Sequence, residues 1–590
     1  MFGRDFIFGI CAKPTSAQVE AEIPYAGEVP LTPNVRPVIV LSGSDYERGY
    51  QWYEQLVQIY GRKPLEERAY RKFTSKELAA LKIYQRYIKK YVPEMIDMLS
   101  GMVAGANHSG IPLSYEEILA KWSGTTISPD GKILSRTSPT DSFYISTGSG
   151  NEKLPSEKDC SGFGAWGRTT KDGKLICGGN GDHQIILGEN EINNFEYIVV
   201  VFPQKGNNFI FSTSTGCCWH PGMNNKGVAM FHHGCTGYCA RFKKPEEQNF
   251  GYGVPNSMIT MHALRFANNA NEAKDIVLSL PSGDGRIGGA WADTGGNAFV
   301  IENRENPRCI RKPADNDETD FIYSTNNLFS KELGHGMNPP PGGNVFIPHG
   351  GWFGAGYTIS SVPRNLQLWN MLHYYQGHID LDFIKMMYRF SGDVPAYPTL
   401  EEADAAYYPT QGKGWNQKIS TLENAMVGIL MPDSGDQGLY YVSNGCVARV
   451  TSPLDPQGHY YRIAPTYSFY QLKLDSSLEK LTKAARDRAQ YELYYANKEL
   501  RKLNYGDCAY APLDGIFDQA AIEWQKGEYY QDFAKKTKGN KSINYWGRAT
   551  RGFTRCQALA RKVYNSLNPP ATKPEDLGLK PWGYWNTGKD

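Results

Sequence analysis

No stretch of this 590-residue chain approaches the ~18 consecutive apolar residues that a membrane-spanning helix needs. Mean hydropathy is −0.50, and the reading excludes a helical membrane protein. Charge of one sign is lacking too. Lys plus Arg number 63 against 61 Asp plus Glu, a net +2, so no bulk attraction to nucleic acid or anionic lipid is expected. Cysteine is scarce: eleven residues, an odd number, cannot form the framework of a disulfide scaffold. They predict a reducing, cytoplasmic compartment with mostly free thiols. Near the start, the apolar stretch from Phe6 to Ala12 is short, follows Asp5 and precedes no small-residue cleavage site, so no secretory signal is expected. What the chain does have is 61 Gly, 35 Pro and 13% aromatics, the composition of a folded, loop-rich protein.

The pattern divides the chain into three parts. Residues 1–35 are Pro-punctuated. Val38–Leu41 reads as a strand, and Ser44 or Asp45 caps a helix with Glu47 in its first turn. Apolar spacing from Ser75 to about Ala106 is helical, broken at Pro93. Residues 125–159 read as an exposed loop. From Cys160, strands separated by glycine turns predominate, interrupted by helical patterns at about 255–280 and 362–376. After about 475 the chain turns helical. Strands, then helices, then strands predict stacked α+β layers instead of a regular βαβ array. The expected organisation is a helical segment 1–159, a core 160–475 and a helical extension 476–590.

The informative segment runs Lys158-Asp159-Cys160-Ser161-Gly162-Phe163-Gly164-Ala165-Trp166-Gly167, through Asp172-Gly173, to Cys177-Gly178-Gly179-Asn180-Gly181-Asp182. It predicts a strand, a two-residue Asp-Gly turn and a returning strand, which brings Asp182 back beside Cys160. A carboxylate beside a thiol disfavours the thiolate. It suits instead a carboxylate that holds an α-amino group, the amine then serving as base for the thiol. That amine exists only if the chain is cut before Cys160.

These residues resemble the self-processing N-terminal-nucleophile hydrolases of the acyl-coenzyme A:6-aminopenicillanic acid acyltransferase family. In that family the mature chain opens on Cys followed by Ser or Thr, with an aromatic strand, Asp-Gly, and Asn-x-Asp ending the second strand. Cys160, Trp166, Asp172-Gly173 and Asn180-Gly181-Asp182 keep that order. Gly43-Ser44-Asp45-Tyr46-Glu47-Arg48-Gly49 resembles the family's pro-chain motif, and Gly222-Met223-Asn224-Asn225-Lys226-Gly227-Val228 its later hairpin. Gly253-Val254-Pro255 with Asn271-Glu272-Ala273 resembles the next helix pair, and Ser324-Thr325-Asn326-Asn327 the segment that carries the oxyanion asparagine. The resemblance spans about residues 36–450. Two departures stand out: Gln51-Trp52-Tyr53 lack the second pro-chain glycine, and Gly179 replaces the arginine of the related bile-salt and penicillin V hydrolases.

The resemblance implies a four-layer αββα fold and self-cleavage between Asp159 and Cys160. Cys160 is then the nucleophile, Asp182 the carboxylate that positions its amine, and Asn326 the oxyanion donor. The free amine, with an ordinary pKa of about 7.7–8.0, is the base. His183 and His233 are the expected lining of the acyl pocket. The implied activity is amide hydrolysis or acyl transfer through a thioester, on a small linear or cyclic amide, with no cofactor or metal. The cleaved pro-chain is the expected partner, in a heterodimer that can assemble further; neither nucleic acid nor membrane is expected.

Cys217, Cys218, His220, His232, His233, Cys235 and Cys239 invite a zinc reading. Cys235 and Cys239 lack CxxC spacing, however, and His232 and His233 point to opposite faces if they lie on a regular strand. Two rivals remain: an uncut Cys/His hydrolase with His232 or His233 as base, and a scaffold that binds a metabolite or partner without catalysis.

Overall fold

The computed structural model describes residues 35–62, 65–66, 72–123, 160–182, 197–213, 221–233, 252–282, 288–304, 308–315, 318–325, 361–389, 424–434, 437–443, 468–503 and 510–580. The chain opens on β1 (Val38–Gly43), followed by α1 (Asp45–Tyr60), α2 (Ser75–Tyr91), α3 (Glu94–His108) and α4 (Tyr115–Ser123). Next come β2 (Ser161–Ala165), β3 (Ile176–Asp182), β4 (Tyr197–Pro203), β5 (Phe209–Thr213), β6 (Gly222–Asn224) and β7 (Val228–His232). Helices α5 (Asn256–Phe266) and α6 (Ala270–Ser279) precede β8 (Gly289–Asp293), β9 (Ala298–Asn303), β10 (Cys309–Arg311) and β11 (Phe321–Ser324). Then follow α7 (Ser361–Tyr374), α8 (Leu381–Arg389), β12 (Asn424–Met431), β13 (Leu439–Ser443) and β14 (Phe469–Lys473). The last long helices are α9 (Leu478–Leu500), α10 (Tyr510–Lys536) and α11 (Gly539–Leu567).

Among the described residues the protein is mixed α+β, with two sheets. Eight strands run in the order β1-β4-β5-β6-β7-β8-β9-β10, and six in the order β11-β2-β3-β12-β13-β14. β1 and β4 pair in parallel and are apolar almost throughout because both of their faces are buried. Val38, Val40, Ile198 and Val200 meet Cys177, Leu430, Val442 and Leu472 of the six-stranded sheet in one core. Ile39, Leu41, Val199 and Val201 face the other way, onto Trp52, Leu99 and Trp122 of α1, α3 and α4. The outer face of the six-stranded sheet, with Phe163, Tyr323 and Ile429, packs on Leu368, Leu372 and Phe383 of α7 and α8.

Local chemistry explains the boundaries. Ser44 caps α1 in a reciprocal capping box with Glu47, and Pro93 separates α2 from α3. Gly49 lets α1 and α3 touch main chain to main chain: a Cβ there would lie 2.8 Å from the Met98 carbonyl carbon and closer still to its oxygen. Helices α9–α11 form a bundle around Leu493, Trp524 and Phe553. α11 also covers one edge of each sheet. Arg551 Nη1 donates to the Val38 carbonyl (3.1 Å) on β1, and Gln471 N on β14 donates to Gln557 Oε1 (2.8 Å). Gln55 of α1 both accepts from Val40 N (3.1 Å) and donates to its carbonyl (2.7 Å), so the β1 edge is hydrogen-bonded where it would otherwise invite another strand.

Candidate active site

β2 and β3 are adjacent inner strands of the six-stranded sheet, with Ser161 opposite Asn180 and Ala165 opposite Ile176. The connection is longer than the two-residue turn expected from Asp172-Gly173. The ladder stops at Ala165 because Trp166 N donates to the Asp320 carbonyl (2.8 Å), leaving residues 166–175 as a loop. Asp172-Gly173 still forms a turn within it. Gly173 has φ +75°, and Lys174 N donates to Asp172 Oδ1 (3.1 Å).

Alternation along β2 sets what each residue meets. Phe163 and Ala165 enter the core under α7 and α8, whereas Gly162 and Gly164 face the other sheet. A Cβ at Gly162 would lie 2.8 Å from the Phe231 carbonyl carbon, closer still to its oxygen, and 3.0 Å from the His232 Cβ. Gly179, opposite Gly162 on β3, abuts the same carbonyl. Here the sheets approach so closely that neither position has room for a side chain, which accounts for a glycine at 179.

Cys160 lies immediately before β2, buried at 2% exposure, and its thiol is in no disulfide. Its carbonyl accepts a hydrogen bond from Arg364 Nη1 at 2.6 Å, and the same nitrogen donates to Ser161 Oγ at 2.6 Å. Arg364 is fully buried on α7. A buried guanidinium thus fixes the main chain of Cys160 and the side chain of its neighbour through charge-assisted bonds. Cys177, on β3 between the sheets, differs. Burial pushes its thiol well above the ordinary range, as expected of a structural core cysteine.

His232 and His233 do not diverge as regular alternation requires. The β7–β8 register slips between Met230 and His232, and the two rings stack with centroids 4.8 Å apart. Such a bulge re-aims side chains. The buried His232 ring crosses from one sheet to the other, its Nδ1 2.9 Å from Ser324 Oγ at the end of β11. His233 is half-buried beside it. β11 itself runs antiparallel to β2, with Ser324 opposite Gly162.

The structure therefore brings Cys160, the main chain of Asp182, Ser161, Arg364, His232 and Ser324 to one end of β2, β3 and β11. Asp159, His183, Asn326, Cys217, Cys218, His220, Cys235 and Cys239 lie outside the described residues. Among the described residues, no group of three or more His, Cys, Asp or Glu is placed to hold a metal. Sequence reasoning missed Arg364, a single arginine in a helical pattern 204 residues from Cys160. Chemically, the site offers a buried thiol at a strand terminus, on a main chain held rigid by a cation. Compared with known proteins, the chain matches no protein-family model and no curated protein.

Proposed function

We propose that the chain is a self-processing N-terminal-cysteine amidohydrolase or acyltransferase, built on the four-layer αββα arrangement that its sequence resembles. Helices on the outer faces of two face-to-face sheets support that arrangement. The observation that carries the activity is the place of Cys160 at the head of an inner strand, flanked by two antiparallel neighbours. On one side β3 ends at Asp182, two residues past Asn180, the partner of Ser161. On the other, Asn326 follows Ser324 by two residues, and Cys160 precedes its partner Gly162 by two.

Maturation starts when the Cys160 sulfur attacks the Asp159 carbonyl carbon. The peptide C–N bond breaks, the Cys160 nitrogen takes up a proton, and a thioester forms. Water hydrolyses the thioester to an Asp159 carboxylate and a free thiol. The new α-amine is the base of the mature enzyme, held by the Asp182 carboxylate. It takes the thiol proton as sulfur attacks the substrate amide, while Asn326 donates to the oxyanion. The leaving amine carries that proton away, and water or a second amine releases the acyl group. Arg364 acts as a positioning residue, since its contacts are with the Cys160 carbonyl and the Ser161 hydroxyl. The pro-chain remains a subunit after the cut, because β1 stays paired with β4 and Arg551 of α11 stays bonded to the Val38 carbonyl and to Gln55.

The experiment is an acid-quenched incubation with a library of linear and cyclic amides, followed by mass mapping. An acyl adduct on the peptide beginning at Cys160 is expected. Amide turnover that persists after Cys160 has been fully alkylated would sink the proposal.

A further inference from the structure

Two sheet edges meet beside the site. Among the described residues β11 ends the six-stranded sheet and β10 ends the eight-stranded one. An edge strand carries main-chain groups with no ladder partner, and when buried these must find another. At Tyr323, the residue before Ser324, side chains take both. Its N–H donates to Glu318 Oε1 (3.2 Å), and its carbonyl accepts from Arg311 Nη2. Arg311 Nη1 donates to both Glu318 oxygens (2.6 and 2.7 Å), and its Nε donates to Glu302 Oε1 on β9 (3.2 Å). The guanidinium also lies 5.7 Å from the Tyr323 ring centroid. Arg311, Glu318 and Glu302 are all buried.

Stability alone is a poor account of such a cluster. Desolvating both charges consumes much of what their attraction returns, and apolar replacements of a buried pair are often neutral. What apolar side chains cannot do is hold one residue by its N–H and its C=O at once. A planar guanidinium bonded to a carboxylate presents its remaining N–H groups in fixed directions. Because Arg311 stands on β10, its bond to the Tyr323 carbonyl ties the edge of one sheet to the edge of the other. One residue further on, His232 of β7 makes the same crossing to Ser324. The end of β11, where Ser324 lies opposite Gly162, is thus pinned twice to the eight-stranded sheet.

We infer that Arg311 and Glu318 are positioning residues, which hold the end of β11, and the segment that continues into Asn326, in register with the head of β2 at Cys160. Each acts through the Tyr323 main chain. The consequence for turnover rests on the chemistry proposed for Cys160, whereas the clamp itself does not. A misplacement of about 1 Å near reacting atoms costs about 10²-fold in rate, so a clamp one residue from Ser324 bears on catalysis without taking part in it.

Removing one charge strands its partner in the core, so the main variant removes both: Arg311→Met together with Glu318→Leu. Glu318→Gln keeps an acceptor for the Tyr323 amide and is the conservative control. The first readout is hydrogen exchange of the full chain followed by mass spectrometry. In wild type the Tyr323 amide, although at a sheet edge, should exchange at least about 10³-fold slower than an unstructured amide. In the double variant exchange at 318–325 should quicken at least about tenfold while β12 and β13 keep their wild-type rates, and Glu318→Gln should stay within about threefold of wild type. The second readout is amide turnover: kcat should fall at least about tenfold in the double variant with KM changed less than about twofold, and Glu318→Gln should retain most of the wild-type rate. Rapid exchange at Tyr323 in wild type, exchange that quickens across the whole sheet in the double variant, or local loosening with kcat unchanged overturns the inference. A wild type without amide turnover would refute the chemistry proposed for Cys160 instead, and exchange at Tyr323 would still decide whether the pair holds β11.

Discussion

Replacing Gly162 by alanine tests whether the two sheets meet main chain to main chain beside the site. The added methyl group would sit 2.8 Å from the Phe231 carbonyl carbon, where ordinary Cβ contacts begin near 3.4 Å, and closer still to the oxygen. The β7 backbone or the β2–β3 pair must therefore yield by at least roughly 0.6 Å at a point where no side chain can rotate away. Overpacking a core costs about 1–3 kcal/mol, and the obstruction by main chain places this case near 3 kcal/mol. At about 2–4 °C per kcal/mol for a large domain, the melting temperature should fall by about 6–12 °C. Gly179→Ala presses on the same carbonyl, so the double variant should lose less than the two single losses added. Gly515→Ala is the control. Nothing lies within 4 Å of its added Cβ on α10, and it should gain about 0.5–1 kcal/mol. Thermal melts followed by circular dichroism read all four variants. If Gly162→Ala melts within about 2 °C of wild type, the sheets are not in contact there and the packing argument fails.

Other outcomes follow from the same structure. Arg364→Met should lose about 1.5–3 kcal/mol for each charge-assisted bond to Cys160 and Ser161 and slow maturation, read by thermal melting and by gel analysis of fresh protein. In Glu94, burial works to raise the pKa, but the His262 hydrogen bond (2.5 Å) and charge outweigh it, so the net shift is downward. A depressed carboxylate stabilises the fold above its unfolded pKa of about 4.5 and loses that stability as pH falls through the folded value. Glu94→Gln should therefore be about 1–2 kcal/mol less stable than wild type at pH 6, the gap closing toward pH 3 in denaturant titrations. Asn326→Ala, once processed, should lower turnover about 10²–10³-fold with little change in KM, and Asp182→Asn should impair maturation, turnover or both. Near-normal kinetics in either variant would assign that residue a structural role.

Much of this architecture is legible in the sequence because it is local. Ser44 with Glu47 announces a capped helix, Pro93 a break, and strand alternation after Cys160 a hairpin that returns at Asp182. What is not legible depends on distant partners. The Asp-Gly turn predicts a tight hairpin, but the carbonyl of Asp320, just before β11, accepts from the Trp166 amide and opens the loop. His232 and His233 obey alternation on paper, yet the pairing with β8 slips and stacks their rings. Arg364 has no local signature at all. Its role follows from α7 packing across the head of β2, a tertiary contact between segments some two hundred residues apart.

The central claim is that Cys160 becomes an N-terminal residue. Intact-mass measurement of freshly purified, denatured protein tests it most directly. The account predicts two species, residues 1–159 and 160–590, that co-elute under native conditions and separate without reductant, and a single uncut chain for Cys160→Ala. A full-length wild-type chain that hydrolyses amides at full rate would contradict it.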